Sequence, residues 1–194
     1  MFIYLVRHGK DDDTVRGGWS QCALTTEGMH QVAALTDYIG VNANLLKIRH
    51  IYSSDLPRAF QTAQPISDKL GLEIVYTPQF REVNNGVLAG MKNDVALLKY
   101  PNLFWNQLDW DQCYPEGESP KEFYERIHNA WLEFSKRIAL SNENVVLVTH
   151  SGVINVIRAI IEDRKYNNRE KHKSVNYTEF IKLSYENDKW HEVQ

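Results

Sequence analysis

Three short segments concentrate reactive side chains: Arg7-His8-Gly9, Ser53-Ser-Asp-Leu-Pro-Arg58 and Thr149-His150-Ser151-Gly152. A guanidinium is permanently charged and forks onto two oxygens of one anion. An imidazole with an unshared ring nitrogen is a nucleophile, and a second imidazole can donate a hydrogen bond to oxygens on which charge develops. Together these are the parts of phosphoryl transfer. Taken singly, each has a plainer use, as a surface or core histidine or as an ion-pair arginine. Two histidines and two arginines at one place are different, because like charge and desolvation both oppose burying them without an anion. Such chemistry also needs a carboxylic acid, to protonate a leaving oxygen and later to activate water. Glu82, in Phe80-Arg-Glu-Val-Asn84, is the candidate; its plainer use is a surface pair with Arg81.

The elements around these segments account for their convergence. Phe2–Val6 and Val145–Val148 read as buried strands, and Ile48–Tyr52 and Glu73–Tyr76 as two more. Helices are expected from Thr25 to Ile39, stopped at Gly40, and from Pro57 to Leu70, stopped at Gly71. Ser119-Pro-Lys-Glu122 is a capping box that opens a helix running to about Ile138. A helix over Gly152–Ile161 and a closing strand over Phe180–Leu183 complete the series. Strands alternating with helices give an α/β domain with a mostly parallel sheet. Ligands in such sheets bind beyond the carboxyl ends of the strands, where the three reactive segments fall. The glycines beside His8 and His150 are expected to let a ligand approach closely. The stretch from Gln79 to Glu118 lacks clean periodicity and reads as loops and short helices over the body of the domain.

Composition bounds the partners. The 194 residues carry 22 Lys plus Arg against 25 Asp plus Glu, a formal net charge of −3, which argues against generic nucleic-acid binding. The one basic cluster, Arg164 to Lys173, reads as a solvated face. Cys22 and Cys113 have no metal-like spacing and make no disulfide framework, so a reducing interior is the simpler home. The apolar run ending at Val6 is too short for a signal-peptide core, and no run approaches the roughly 18 apolar residues of a membrane span. A cytoplasmic protein without membrane or nucleic-acid partners is expected. Nothing indicates its oligomeric state.

Arg7-His8-Gly9, Ser53-Ser-Asp-Leu-Pro-Arg58-Ala-Phe-Gln-Thr-Ala63, Arg81-Glu82 with Gly86 and Gly90, Glu116-Gly-Glu-Ser119 and Val148-Thr-His150-Ser-Gly152 stand in an order and spacing that resemble the histidine phosphatases, the phosphoglycerate mutase-like superfamily. Gly18-Trp19-Ser-Gln-Cys-Ala-Leu24 and the helix after it are similar to the segment following that family's RHG motif. The resemblance implies a three-layer α/β/α sandwich over residues 1–194, with a mostly parallel sheet and a short lid insertion near 83–118. It implies a phosphohistidine intermediate on His8, with Arg7, Arg58 and His150 completing the phosphate pocket and Glu82 as proton donor. Lys10, Gln21, Cys22, Ser151 and Gly152 become candidate substrate contacts. No cofactor and no metal is implied, in keeping with the absence of a metal-ligand pattern.

Two departures stand out. Lys10-Asp-Asp-Asp13 follows the RHG motif where many relatives have Glu and then Ser or Thr, and Thr14 replaces an asparagine that helps hold phosphate. The Thr14 hydroxyl is the expected substitute donor. Asp11 to Asp13 read as a solvated loop, or as a source of repulsion for highly anionic substrates or a partner for a cationic part of one. Phe104, Trp105, Trp110 and Tyr114 read as the lid's own small core, with a ring-binding mouth as the alternative. The lid is shorter than in cofactor-dependent mutases, which favours a phosphomonoesterase acting on a small phosphorylated metabolite. A phosphoglycerate mutase is the alternative, followed by a non-catalytic reader of phosphorylated ligands.

Overall fold

Alternation along the first strand sets up two cores. In the computed structural model, which describes residues 1–193, β1 spans Phe2–Arg7. Ile3 and Leu5 point to one face of the sheet, Tyr4 and Val6 to the other, and all four are buried. The first face is covered by α5 (Pro120–Ser141) and α6 (Ser151–Ile161), which present Phe123, Ile127, Trp131, Phe134, Ile154 and Ile157. The second is covered by α1 (Thr26–Val41), α2 (Ala43–Leu46) and α3 (Pro57–Leu70), through Leu35, Ile39, Leu46, Ala59, Ala63 and Ile66. The result is the three-layer α/β/α sandwich expected from the sequence.

The strands are β2 (Ile48–Ser53), β3 (Ile74–Tyr76), β4 (Asn144–Thr149), β5 (Phe180–Glu186) and β6 (Lys189–Val193), in the sheet order β3-β2-β4-β1-β5-β6. β3, β2, β4 and β1 are parallel, whereas β5 runs antiparallel to β1 and β6 antiparallel to β5. β1 and β4 pair in register from Ile3 with Val145 to Arg7 with Thr149. That register places His8 and His150 side by side at the end of two adjacent strands.

Several boundaries differ from expectation. Helix α1 continues past Gly40 to Val41 and stops where the Asn42 backbone and side-chain amides both donate to the Tyr38 carbonyl, at 3.1 and 2.8 Å. β5 extends to Glu186 and turns through Asn187 and Asp188, both at positive φ (51° and 61°), into the unanticipated strand β6. That two-residue turn has the twist of a type I′ hairpin, formed here without the usual glycine. Between β3 and α5 lie α4 (Asn93–Lys99) and short 3₁₀ turns around a separate small core of Leu88, Ala96, Leu108 and Tyr114. Trp105 joins this core to the main one by an edge contact with Phe123 at 5.4 Å. Of the four aromatic residues expected in a lid core, Trp110 packs instead toward Tyr124 and Tyr166, and Phe104 lies beneath the Arg16 guanidinium.

Helix α5 begins with the full capping box. The Glu122 amide donates to Ser119 Oγ (3.1 Å), and the Ser119 amide donates to Glu122 Oε2 (2.9 Å). A Ser119→Ala substitution should lower the unfolding free energy by about 1 kcal/mol, read from urea titration with an unchanged slope. An unchanged midpoint would mean that the cap contributes nothing to this helix.

Candidate active site

Every element boundary at the carboxyl edge of the parallel strands contributes to one cluster. His8 follows β1 and is 5% exposed. Its Nδ1 lies 2.7 Å from the Gly9 carbonyl oxygen, an acceptor only, which fixes the proton on Nδ1 and leaves Nε2 with its lone pair. Arg58 donates to that nitrogen through Nε at 3.2 Å. The His150 ring, fully buried at the end of β4, lies 5.1 Å from the His8 ring, and its Nε2 is 2.8 Å from Ser54 Oγ. His150 Nδ1 is buried without a partner, as is Arg7 Nε. Arg7 is steadied by a bond to the Val175 carbonyl (2.6 Å) and by the Tyr177 ring, 3.8 Å from its guanidinium carbon.

Arg58 is 2% exposed and opens α3, where Pro57 sets the first turn. Its NH2 group donates to the Gly18 carbonyl (2.7 Å), and its NH1 group lies at the hydrogen-bond limit from the Ser20 carbonyl and hydroxyl (3.4 and 3.5 Å). The Gly18-Trp19-Ser20 turn is therefore the cradle of Arg58. Burial pushes both His8 and His150 well below the ordinary histidine pKa, and the Arg58 charge adds to the effect in each. Both rings are neutral near pH 7.

Glu82 reaches the cluster from the segment after β3. Arg81 is forked onto Asp55, so the pairing of Glu82 with Arg81 does not occur. The Glu82 carboxylate instead accepts from the Gly152 amide (3.1 Å) at the first turn of α6, and from the Val83 amide (3.1 Å). Its main chain is clamped: the Glu82 carbonyl accepts from Trp19 Nε1 (2.7 Å) and from Arg126 (3.1 Å). Arg126 also donates to the carbonyls of Gln79 and Arg81 and forks onto Glu118. Tyr114 is buried near Glu82, and that burial pushes its hydroxyl pKa up to about 12.

The two glycines expected to admit a ligand serve other neighbours. A Cβ on Gly9 would stand 2.8 Å from the Gly28 carbonyl of α1, and one on Gly152 would stand 2.3 Å from the Glu82 carboxylate. Each permits a close approach by the protein itself. The Thr14 hydroxyl, the expected phosphate donor, donates to Asp12 Oδ1 (2.7 Å), and the residue is exposed. Gln21 is exposed, and its side-chain amide donates to the Trp19 carbonyl at 3.5 Å. Cys22 is partly buried and close enough to Arg58 to act on its charge. Ser151 opens α6 beside His150. The basic segment read as a solvated face contains the buried Asn168, which donates to the carbonyls of Trp105 and Leu108, while Arg169 binds Gln107, Leu108 and Asp109. Arg126 and Tyr177 escaped the sequence reading, while Ser54, Gly18 and Trp19 entered it only as members of their segments, without a role of their own.

Among the described residues, no group of three His, Cys, Asp or Glu side chains is placed to hold a metal ion, and no helix is long and apolar enough to cross a membrane. A family model described as histidine phosphatase superfamily (branch 1) matches residues 3–194. The chain is 30% identical over 196 residues to phosphoglycerate mutase-like protein 4 of Arabidopsis thaliana, covering 97% of this chain and 81% of that protein. It is 36% identical over 134 residues to a probable phosphoglycerate mutase of Escherichia fergusonii, covering 66% of this chain and 60% of the relative's length. In fold it is similar to the alpha-ribazole phosphatase of Shigella flexneri (TM-score 0.81, 20% identity, 100% of this chain and 95% of that one). It is likewise similar to a mycobacterial glucosyl-3-phosphoglycerate phosphatase (TM-score 0.78, 23% identity, 99% and 96%).

Two buried histidines with depressed pKa values make a testable statement about stability. As pH falls through about 6.5 the unfolded chain protonates both rings while the folded chain resists. Unfolding free energy should therefore fall below pH 6.5, by up to about 2.7 kcal/mol per pH unit for two protons. Urea unfolding between pH 7.5 and 5.5 checks this, and a His8→Asn, His150→Asn double variant should show the shallower slope. An equal slope would mean that the two rings titrate alike in the folded and unfolded chains.

Proposed function

This chain belongs to branch 1 of the histidine phosphatase superfamily, and from that premise we propose that it is a metal-independent phosphomonoesterase working through a phosphohistidine on His8. The observation that carries the reading is a buried group of donors arranged around one nucleophilic nitrogen. His8 presents Nε2 beside Arg58, while Arg7 Nε and His150 Nδ1 lie buried and unpartnered nearby. A tetrahedral oxyanion would satisfy both orphans and offset the buried positive charge.

In the proposed reaction the His8 Nε2 lone pair forms a bond to phosphorus while the bond from phosphorus to the ester oxygen breaks. Glu82 gives its proton to the departing oxygen. Arg7, Arg58 and His150 donate to the three remaining oxygens, where charge gathers in the transition state. Water then attacks phosphorus and passes a proton to the Glu82 carboxylate, the P–N bond breaks, and phosphate leaves with the ring restored. The short 83–118 segment, tied down through Asn168 and Arg169, acts as a lid that leaves water access to the phosphohistidine. The substrate class is a small phosphorylated metabolite. The names of the sequence relatives favour a second reading, a phosphoglycerate mutase, in which the phosphoryl group passes from His8 to another hydroxyl of the substrate.

Phosphate release from a panel of phosphomonoesters in EDTA, alongside 3-phosphoglycerate primed with 2,3-bisphosphoglycerate, separates the two. Release from at least one ester should exceed any mutase turnover; the reverse ranking would sink the phosphatase reading. His8→Ala should abolish turnover, and substantial residual hydrolysis would exclude His8 as nucleophile. Glu82→Gln should slow the reaction by about 10²–10⁴-fold on alkyl esters. Its effect should be much smaller on p-nitrophenyl phosphate, whose leaving group hardly needs a proton. Equal losses on both would remove Glu82 from the role of acid.

A further inference from the structure

The acidic run after Gly9 does not behave as one solvated loop. Asp12 and Asp13 are exposed, whereas the Asp11 side chain is only 13% exposed and its Oδ2 lies 3.3 Å from Arg58 Nε. That nitrogen is the one that donates to His8 Nε2. The Asp11 main chain is pinned by a bridge to Leu24, so its carboxylate is held at the rim of the histidine cluster by the fold. Lys10, the nearest cation in sequence, turns away to Glu27 at 2.6 Å. Arg58 of α3, Arg7 at the end of β1 and Asp12 of its own loop act electrostatically on Asp11, with His8 sharing its Arg58 nitrogen. Glu82 and Cys22 act on Arg58 in turn.

Charge balance then sets a condition on any anion. Two guanidiniums balance one dianion, and a charged Asp11 beside Arg58 leaves one negative charge in excess in a desolvated site. We propose that Asp11 is a specificity-determining residue that occupies the Arg58 side of the pocket when no anion is bound and admits a dianionic oxyanion only with the uptake of one proton. The proposal rests on the phosphate-pocket reading above. Protonated, Asp11 donates an O–H to an oxygen of the bound anion; equivalently, a monoanion brings the proton with it. Burial raises the Asp11 carboxyl pKa in spite of the Arg58 charge, a shift in the direction that favours uptake of the proton. Asp12 differs, because its hydrogen bonds from Thr14 hold its carboxyl below the usual range.

Sulfate is a suitable probe, being a dianion throughout pH 5 to 8. Its binding is measured by calorimetry on the full chain and on the Asp11→Asn and Asp13→Asn variants. Wild-type affinity should fall at least about tenfold from pH 5.5 to 8, since one proton per bound anion means up to a tenfold change per pH unit. Asp11→Asn should bind about tenfold or more tighter than wild type at pH 8, with the ratio closing toward one near pH 5. Asp13→Asn, an exposed neighbour, should follow wild type. Asp11→Asn equal to wild type at every pH, or tighter by one constant factor, would overturn the proposal. Sulfate binding by none of the proteins at any pH would overturn the pocket reading and this inference with it. Should Asp11→Asn not fold, Asp11→Ser is read by the same criteria.

Discussion

A guanidinium with 2% of its surface exposed is costly to keep away from water, and the arrangement around Arg58 is the response to that cost. Its donors are matched to oxygens and one nitrogen from three separate parts of the chain: Gly18 and Ser20 in the loop before α1, His8 at the end of β1, and Asp11 beyond it. If Arg58 moved, the Gly18–Ser20 turn would lose its anchor. Trp19 would then lose the placement from which its indole reaches the Glu82 carbonyl. The phosphate-side groups and the acid-bearing segment are thus linked through one buried cation and one indole.

A second cation performs the same service on the far side. Arg126 projects from α5 and gathers the carbonyls of Gln79, Arg81 and Glu82, with Glu118 as its charge partner. The segment carrying Glu82 has no regular hydrogen bonding of its own beyond a 3₁₀ turn, and Arg126 supplies the missing donors. The segment after α6 plays a parallel part. Asn168 and Arg169 fix Trp105–Asp109, and Val175 and Tyr177 fix Arg7. Irregular chain around the site is held by side-chain donors to backbone carbonyls.

The electrostatic consequence is a site of neutral imidazoles between charged guanidiniums. Burial keeps His8 and His150 unprotonated, which suits a nucleophile, and Gly9 dictates which nitrogen is available. Arg7 Nε and His150 Nδ1 are two of the buried side-chain polar atoms that find no partner within the protein. On the proposed chemistry, the substrate's phosphate completes that hydrogen bonding.

The amino-acid sequence by itself determined the strand and helix series, because apolar periodicity, the Ser119-Pro120-Glu122 box and Gly71 act locally on the chain. It also determined that His8, Arg58 and His150 would meet, since each directly follows a strand or opens a helix at the same edge of a parallel sheet. The hairpin into β6 was hidden because its Asn187-Asp188 turn lacks the glycine that signals such turns. What only the tertiary structure decided was the choice of partner for each polar group. Arg81 took Asp55 and left Glu82 to Gly152, Thr14 turned to Asp12, Asp11 was drawn in to Arg58, and the basic segment became a clasp. Those choices depend on distances between residues far apart in the chain. Many pairings are chemically equivalent in sequence, and only burial and geometry rank them.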